Sequence, residues 1–304
     1  MKTMRIFAII TVVCLLFGMT AFANFSDIKL GDNGYTEISV LSAIGIMNGD
    51  SDGSFKPDNT MTRAEFCAVI VRFLGVPDSG VGNAQTIFTD VPQLHWASGY
   101  IMMAYSAGLI NGVGDDKFDP ESDITYEQAI KIIVSSLGYA PKAASMGGYP
   151  NGYIMVAAQE KITIGKLTLT DAAKRVEIAK MLFRALTVPN MEQTVFGGPN
   201  GAEYQRIEAV TVLFTKAGII EVTAEVSEGV IKYTGVDETV KLNGLTIKED
   251  GKIVDEEDNL FVALPTEILE EEIPDGNVIM YFQLPDGEEA KLLYVAEVEA
   301  EAAE

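Results

Sequence analysis

The sequence predicts an α+β protein: an N-terminal all-α set of three helix-loop-helix repeats, followed by a small antiparallel β-rich domain. Three observations carry this. The same landmarks recur at an offset of 63 residues: Phe25-Ser26-Asp27 as Phe88-Thr89-Asp90, Gly45-Ile46-Met47-Asn48-Gly49 as Gly108-Leu109-Ile110-Asn111-Gly112, and Phe55-Lys56-Pro57 as Phe118-Asp119-Pro120. Such a period marks tandem supersecondary units that bury their apolar faces against one another. Within the units apolar residues follow helical spacing behind capping signals, and from residue 219 the pattern becomes that of short strands.

Taken in order, residues 1–23 are expected to be a signal peptide. Lys2 and Arg5 precede an apolar run from Ile6 to Phe17, too short to span a bilayer, and Ala21-Phe22-Ala23 places small residues where a signal peptidase reads. Cys14 lies in the leader behind Val13, where a lipoprotein signal would want a small residue. Cleavage leaves one cysteine, Cys67, on an apolar helix face and expected to be a small buried hydrophobe. With His95 the sole histidine, the usual Cys/His zinc sites are excluded.

Repeat one, residues 24–87, predicts a first helix from Ile38, Leu41 and Ile44, stopped by Gly45. Its second helix opens at Thr62 with Glu65 three residues on, a capping box, and carries Phe66, Val69, Ile70 and Phe73 on one face. Repeat two, residues 88–140, has Thr125 and Gln128 in the same arrangement, followed by Ala129, Ile132 and Ile133. Residues 141–188 form a degenerate third copy. It keeps Gly152-Tyr153-Ile154 and the stripe Val176, Ala179, Leu182 and Phe183, but Lys174 replaces the capping threonine and the Phe-x-Asp and Phe-x-Pro landmarks are gone.

Residues 189–218 are expected to be a linker and a helix, with Tyr204, Ile207, Val210, Leu213 and Phe214 on one side of a 202–217 segment. Beyond it, segments 219–226, 229–234, 239–247, 260–264, 278–284 and 290–296 read as strands separated by Asn-Gly and Asp-Gly turns, giving a β-rich acidic domain over 219–296. Residues 297–304 are an acidic tail. Charge divides the chain in the same place: residues 24–189 carry net −5 and residues 190–304 carry net −19. Such a surface repels nucleic acid and anionic lipid, so neither is an expected partner, and no membrane contact is expected after signal cleavage.

The landmarks identify a family. Phe-x-Asp, the Gly-Ile-Met-Asn-Gly turn, Asp52-Gly53-Ser54-Phe55-Lys56-Pro57 and Met61-Thr62-Arg63-Ala64-Glu65 resemble the S-layer homology module, and the resemblance covers roughly residues 25–188. It implies a pseudo-threefold bundle of three repeats whose grooves bind a secondary cell wall polysaccharide, often one bearing an acidic ketal-pyruvate. It also implies that the arginine of Thr-Arg-Ala-Glu is the main polar anchor. Arg63 and Arg175 match that position and Tyr126 does not. A guanidinium suits the task, since its planar fork matches a carboxylate and it stays charged. The competing reading pairs these arginines with Glu65 or Glu177 at the surface.

Trp96, the single tryptophan, and Tyr149 at the corresponding place in the third copy are candidate stacking faces for a sugar ring, or else fill space beside their own helices. Asp27 and Asp90 are expected to cap helices or accept backbone bonds, with a secondary place at the groove edge. The Asn48–Gly53 turn imitates the opening of a calcium loop, but Lys56 and Asn59 stand where later ligands belong, so it reads as a plain turn.

No hydrolase motif, phosphate loop or dinucleotide fingerprint is present, and no catalytic residue, metal site or cofactor is expected. The sequence therefore reads as a secreted, non-catalytic anchor at the cell wall or S-layer. Its expected partner is an acidic secondary cell wall polysaccharide, with other surface-layer proteins as further candidates. Two alternatives stand beside it: a surface-assembly subunit acting through the β domain, and a secreted polysaccharide-modifying enzyme.

Overall fold

A computed structural model of the chain describes residues 25–29, 31–165, 167–198, 201–212, 218–228, 230–233, 241–242, 245–248, 251–254, 257–265, 276–284 and 291–297. The expected signal peptide, and the acidic tail beyond Glu297, lie outside the described residues. The described part is a mixed α+β protein, and it divides into two compact units, the chain passing from one to the other after Ile207.

The first unit carries seven helices: α1 (Tyr35–Ala43), α2 (Arg63–Phe73), α3 (Ser98–Ser106), α4 (Tyr126–Ser136), α5 (Ala140–Ser145), α6 (Asn151–Gln159) and α7 (Arg175–Ala185). Two of them start on the capping boxes read from sequence. Thr62 Oγ1 accepts the Glu65 N–H while Glu65 Oε2 accepts the Thr62 N–H, and Thr125 and Gln128 do the same for α4. Lys174 gives α7 no side-chain cap. Its free donors are satisfied from elsewhere: Arg175 N and Val176 N donate to the carbonyls of Asn59 and Pro57, each at 2.9 Å.

That exchange is general in this unit. Arg63 N and Ala64 N donate to Ser122 and Pro120, and Tyr126 N and Glu127 N donate to Asp171 and Leu169. Just ahead of the three helix starts the chain closes a ring of backbone bonds: Ile124 N to Met61 O at 2.9 Å, Ala173 N to Ile124 O at 2.8 Å, and Met61 N to Ala173 O at 3.1 Å. Met61, Ile124 and Ala173 are all buried, so these groups have no recourse to water and the bonds hold the three strand-like approaches together. The helices pack in the same cyclic order, α3 on α2, α6 on α4 and α1 on α7.

The Phe-x-Asp landmarks brace the loops rather than cap helices. Asp27 accepts the N–H groups of Phe55 and Lys56 at 2.8 and 2.7 Å, and Asp90 accepts those of Phe118 and Asp119 at 2.9 and 2.8 Å. Phe55 and Phe118 are thereby fixed in the core, each fully buried.

The helix expected over 202–217 is corrected. Residues 189–211 form two paired strands, β1 (Pro189–Gly198) and β2 (Gly201–Thr211), while residues 213–217 lie outside the described residues. The apolar spacing of Tyr204 and Ile207 suits a helix, but Glu203 to Arg206, Tyr204 among them, are all exposed. The segment instead pairs with the Thr- and Val-containing β1. Nor is the start of this segment a linker. Met191 N donates to Leu137 O, and Tyr139 Oη donates to Pro189 O, which ties β1 to the end of α4. Arg206 on β2 and Lys142 on α5 share the nearly buried carboxylate of Glu160.

The second unit comprises two four-stranded antiparallel sheets. One has the order β10-β9-β3-β4, from β3 (Ile219–Ser227), β4 (Val230–Tyr233), β9 (Gly276–Gln283) and β10 (Lys291–Glu297). The other has the order β5-β6-β7-β8, from β5 (Lys241–Leu242), β6 (Leu245–Ile247), β7 (Lys252–Val254) and β8 (Leu260–Ala263). The single segment expected over 239–247 instead contains two strands, β5 and β6, and the short β7 was not anticipated. Ile220, Val222, Met280 and Phe282 of the first sheet share a core with Ile253 and Val262 of the second. Gly251 is required there: its φ is +77°, and a Cβ would lie 2.9 Å from the Tyr233 ring.

Candidate functional site

The candidate site lies where α2 meets the loop of the second repeat. Arg63, first residue of α2, extends away from its own repeat. Its Nε donates to Phe118 O at 3.0 Å, Nη2 to Asn111 O at 3.3 Å and Nη1 to Gln128 Oε1 at 3.4 Å, and the guanidinium lies 4.5 Å from the Phe118 ring centre. Arg175, first residue of α7, repeats this geometry on the first repeat. Its Nε donates to Phe55 O at 2.8 Å and Nη2 to Asn48 O at 2.9 Å, with the Phe55 ring centre 4.7 Å away. Burial draws both guanidinium pKa values down, against neighbouring negative groups.

The surface pairings with Glu65 and Glu177 do not form. Glu65 is engaged by the Thr62 N–H, and Glu177 lies 4.0 Å from Lys180. At the third position Tyr126 is buried, and its hydroxyl accepts the Lys174 N–H at 3.3 Å. A phenol therefore packs at the start of α4, where α2 and α7 begin with a cation.

Arg63 opens into a cavity of about 380 Å³, whose lining includes Cys67, Asn111, Gln128, Lys131 and Tyr149. That volume suits a single sugar residue or a comparable small group. Tyr149 is 52% exposed at its rim and donates from its hydroxyl to Glu127 Oε1 at 2.8 Å; burial and that bond push its pKa up to about 12. Lys131 donates from Nζ to Leu109 O at 2.6 Å, and burial lowers its pKa. Cys67 is fully buried, its thiol pushed up to about 12 by burial, so it lines the floor as a neutral hydrophobe.

Trp96 is 54% exposed, stacked at 6.0 Å on His95 and tilted against Tyr100. It precedes α3, which packs on α2, as Tyr149 precedes α6, which packs on α4. Asn33 holds the equivalent place ahead of α1 and accepts a bond from Lys180 Nζ of α7 at 2.5 Å. Asp27 and Asp90 sit behind the site, holding the loops whose carbonyls Arg175 and Arg63 grip. The turn that imitates a calcium loop carries its own cation: Lys56 Nζ lies 2.5 Å from Asp50 and 3.5 Å from Asp52.

Gln128 and Lys131 were missed by sequence reasoning. The signal was available, because the offset of 63 aligns Gln128 with Glu65 and Lys131 with Ala68.

Residues 24–67 and 87–130 match the S-layer homology domain, so the first two repeats each carry a segment of that family. The chain is 32% identical over 225 residues to a "Cell surface protein" of Thermoanaerobacter kivui, covering 70% of this chain and 29% of that protein. It is 34% identical over 190 residues to a "Middle cell wall protein" of Brevibacillus brevis, covering 62% and 18%, and 36% identical over 159 residues to a "Surface layer protein" of Brevibacillus choshinensis, covering 52% and 14%. The chain thus spans less than a third of the length of each of these relatives. No helix among the described residues is long and apolar enough to cross a membrane.

Proposed function

We propose that this protein is a non-catalytic anchor of the bacterial cell surface, held without covalent attachment by S-layer homology repeats that bind secondary cell wall polysaccharide. The protein is secreted and resides at the cell wall. Residues 141–188 act as a third repeat, so that three units surround a pseudo-threefold axis. The ring of bonds through Met61, Ile124 and Ala173 supports that arrangement.

The observation that carries the reading is Arg63. Its guanidinium is held by backbone carbonyls and an aromatic face, not by a carboxylate, and it borders a cavity of sugar size. A cation preorganised in this way is available to an acidic substituent of a polymer. Arg63 and Arg175 are the anchors of two grooves, Tyr149 and Trp96 offer stacking faces, and Asp27 and Asp90 hold the loops. Retention of the purified protein by cell walls, compared with walls stripped of their secondary polysaccharide, tests this; indifference to the stripping overturns it.

A further inference from the structure

The three equivalent grooves differ in charge at two positions of one helix, the third residue of the helix and the residue three further on. Beside Arg63 these are Gln128 and Lys131, both lining its cavity. Beside Arg175 they are Glu65, whose carboxylate acts electrostatically on that guanidinium, and the buried Ala68. Beside Tyr126 they are Glu177 and Lys180, 4.0 Å apart. From these side chains the Arg63 groove carries two more positive charges than either of the others; Asp90 and Asp119 act on Arg63 as Asp27 and Asp50 act on Arg175, so that difference stands. Among the residues lining the Arg63 cavity there is no carboxylate at all, in a chain of net charge −22.

We infer that Gln128 and Lys131 make the Arg63 groove the anion-selective one, taking a sugar that bears a carboxylate between the Arg63 guanidinium and the Lys131 ammonium, while Glu65 suppresses the same capacity at Arg175. The assignment rests on the anchoring reading for its biological ligand, but its chemistry is local. Lys131 spends one N–H on Leu109 O and keeps two for a ligand. Gln128 presents its amide oxygen to Arg63 without neutralising it, as a glutamate there would. An exposed carboxylate on the ligand meets two fixed cations in a partly enclosed site, where charge-assisted bonds are strongest.

The chain supplies its own controls. Gln128→Glu reproduces the Thr62–Glu65 capping box, Glu65→Gln reproduces the Thr125–Gln128 box, and Lys131→Ala reproduces Ala68, so each variant adopts a side chain the fold already accommodates. The experiment titrates the full chain with glucuronate, and with glucose as the uncharged parent, while following the Nε–H resonances of Arg63 and Arg175 by NMR. The expected result is saturation at Arg63 by glucuronate and not by glucose, with Arg175 responding at least about tenfold more weakly. Gln128→Glu and Lys131→Ala should each weaken the Arg63 response by about tenfold or more, the loss of one charge-assisted bond, and Glu65→Gln should strengthen the response at Arg175. Equal responses at the two arginines, no response at either, or an Arg63 response unchanged in both variants overturns the assignment. Wall sedimentation separates the two levels: walls that retain the chain while the grooves respond alike leave anchoring intact and sink this assignment. The converse pattern sinks anchoring and leaves the groove assignment standing.

Discussion

Arg175 grips the first repeat as Arg63 grips the second. The Nε atoms bond Phe55 O and Phe118 O at 2.8 and 3.0 Å, and the Nη2 atoms bond Asn48 O and Asn111 O at 2.9 and 3.3 Å. Each arginine is therefore a tie between repeats as well as a groove cation. Arg63→Ala and Arg175→Ala should each lower unfolding stability by about 1.5–3 kcal/mol, because carbonyls lose a charged donor and a phenylalanine loses its cation. Urea denaturation checks this. Unchanged midpoints would mean that the guanidinium contacts contribute to binding alone.

The brace from Asp90 has a pH signature. Burial pushes its carboxyl up, but the N–H groups of Phe118 and Asp119 override this and leave its pKa below the ordinary value. The bond from Arg72 holds Asp78 low in the same direction. A depressed folded-state pKa gives stability that is present above the unfolded value of about 4 and is lost as pH falls through the lower folded value. Unfolding free energy should accordingly be level from pH 7 to about 5 and fall below about 4, less steeply in Asp90→Asn. A variant whose acid limb matches the parent's would remove Asp90 from this account.

Gly138 and Gly108 separate backbone strain from steric conflict. Both have positive φ, +85° and +70°, but a Cβ at Gly138 would sit 2.0 Å from Met191 O, whereas at Gly108 it meets nothing within 4 Å. Gly108→Ala should cost about 1–2 kcal/mol for the left-handed conformation alone. Gly138→Ala should cost more, since it also pushes β1 off the end of α4. Thermal melts of the two variants decide it, and equal losses would show that β1 is not seated there.

Much of this was legible in the sequence because short-range chemistry fixed it. The Thr62–Glu65 and Thr125–Gln128 caps are local, and the Phe-x-Asp repeat marked carboxylates with a shared backbone task. What was hidden depends on distant partners. Lys174 removes a cap that Asn59 and Pro57 replace through carbonyls far away in sequence, so the degenerate copy keeps its helix. Residues 202–211 carry helical spacing, yet pairing with β1 overrides it. The groove asymmetry needed the knowledge that Gln128 faces Arg63 from another repeat.

The central claim is that the arginine grooves, and not the β-rich unit, hold the protein on the wall. Co-sedimentation of the full chain with purified cell walls tests it most directly, using the parent, Arg63→Ala, Arg175→Ala and the double variant over a salt series, with circular dichroism confirming that each is folded. The account predicts retention of the parent that weakens with salt, a larger loss for Arg63→Ala than for Arg175→Ala, and no retention of the double variant. A folded double variant that still sediments with walls at high salt would contradict it.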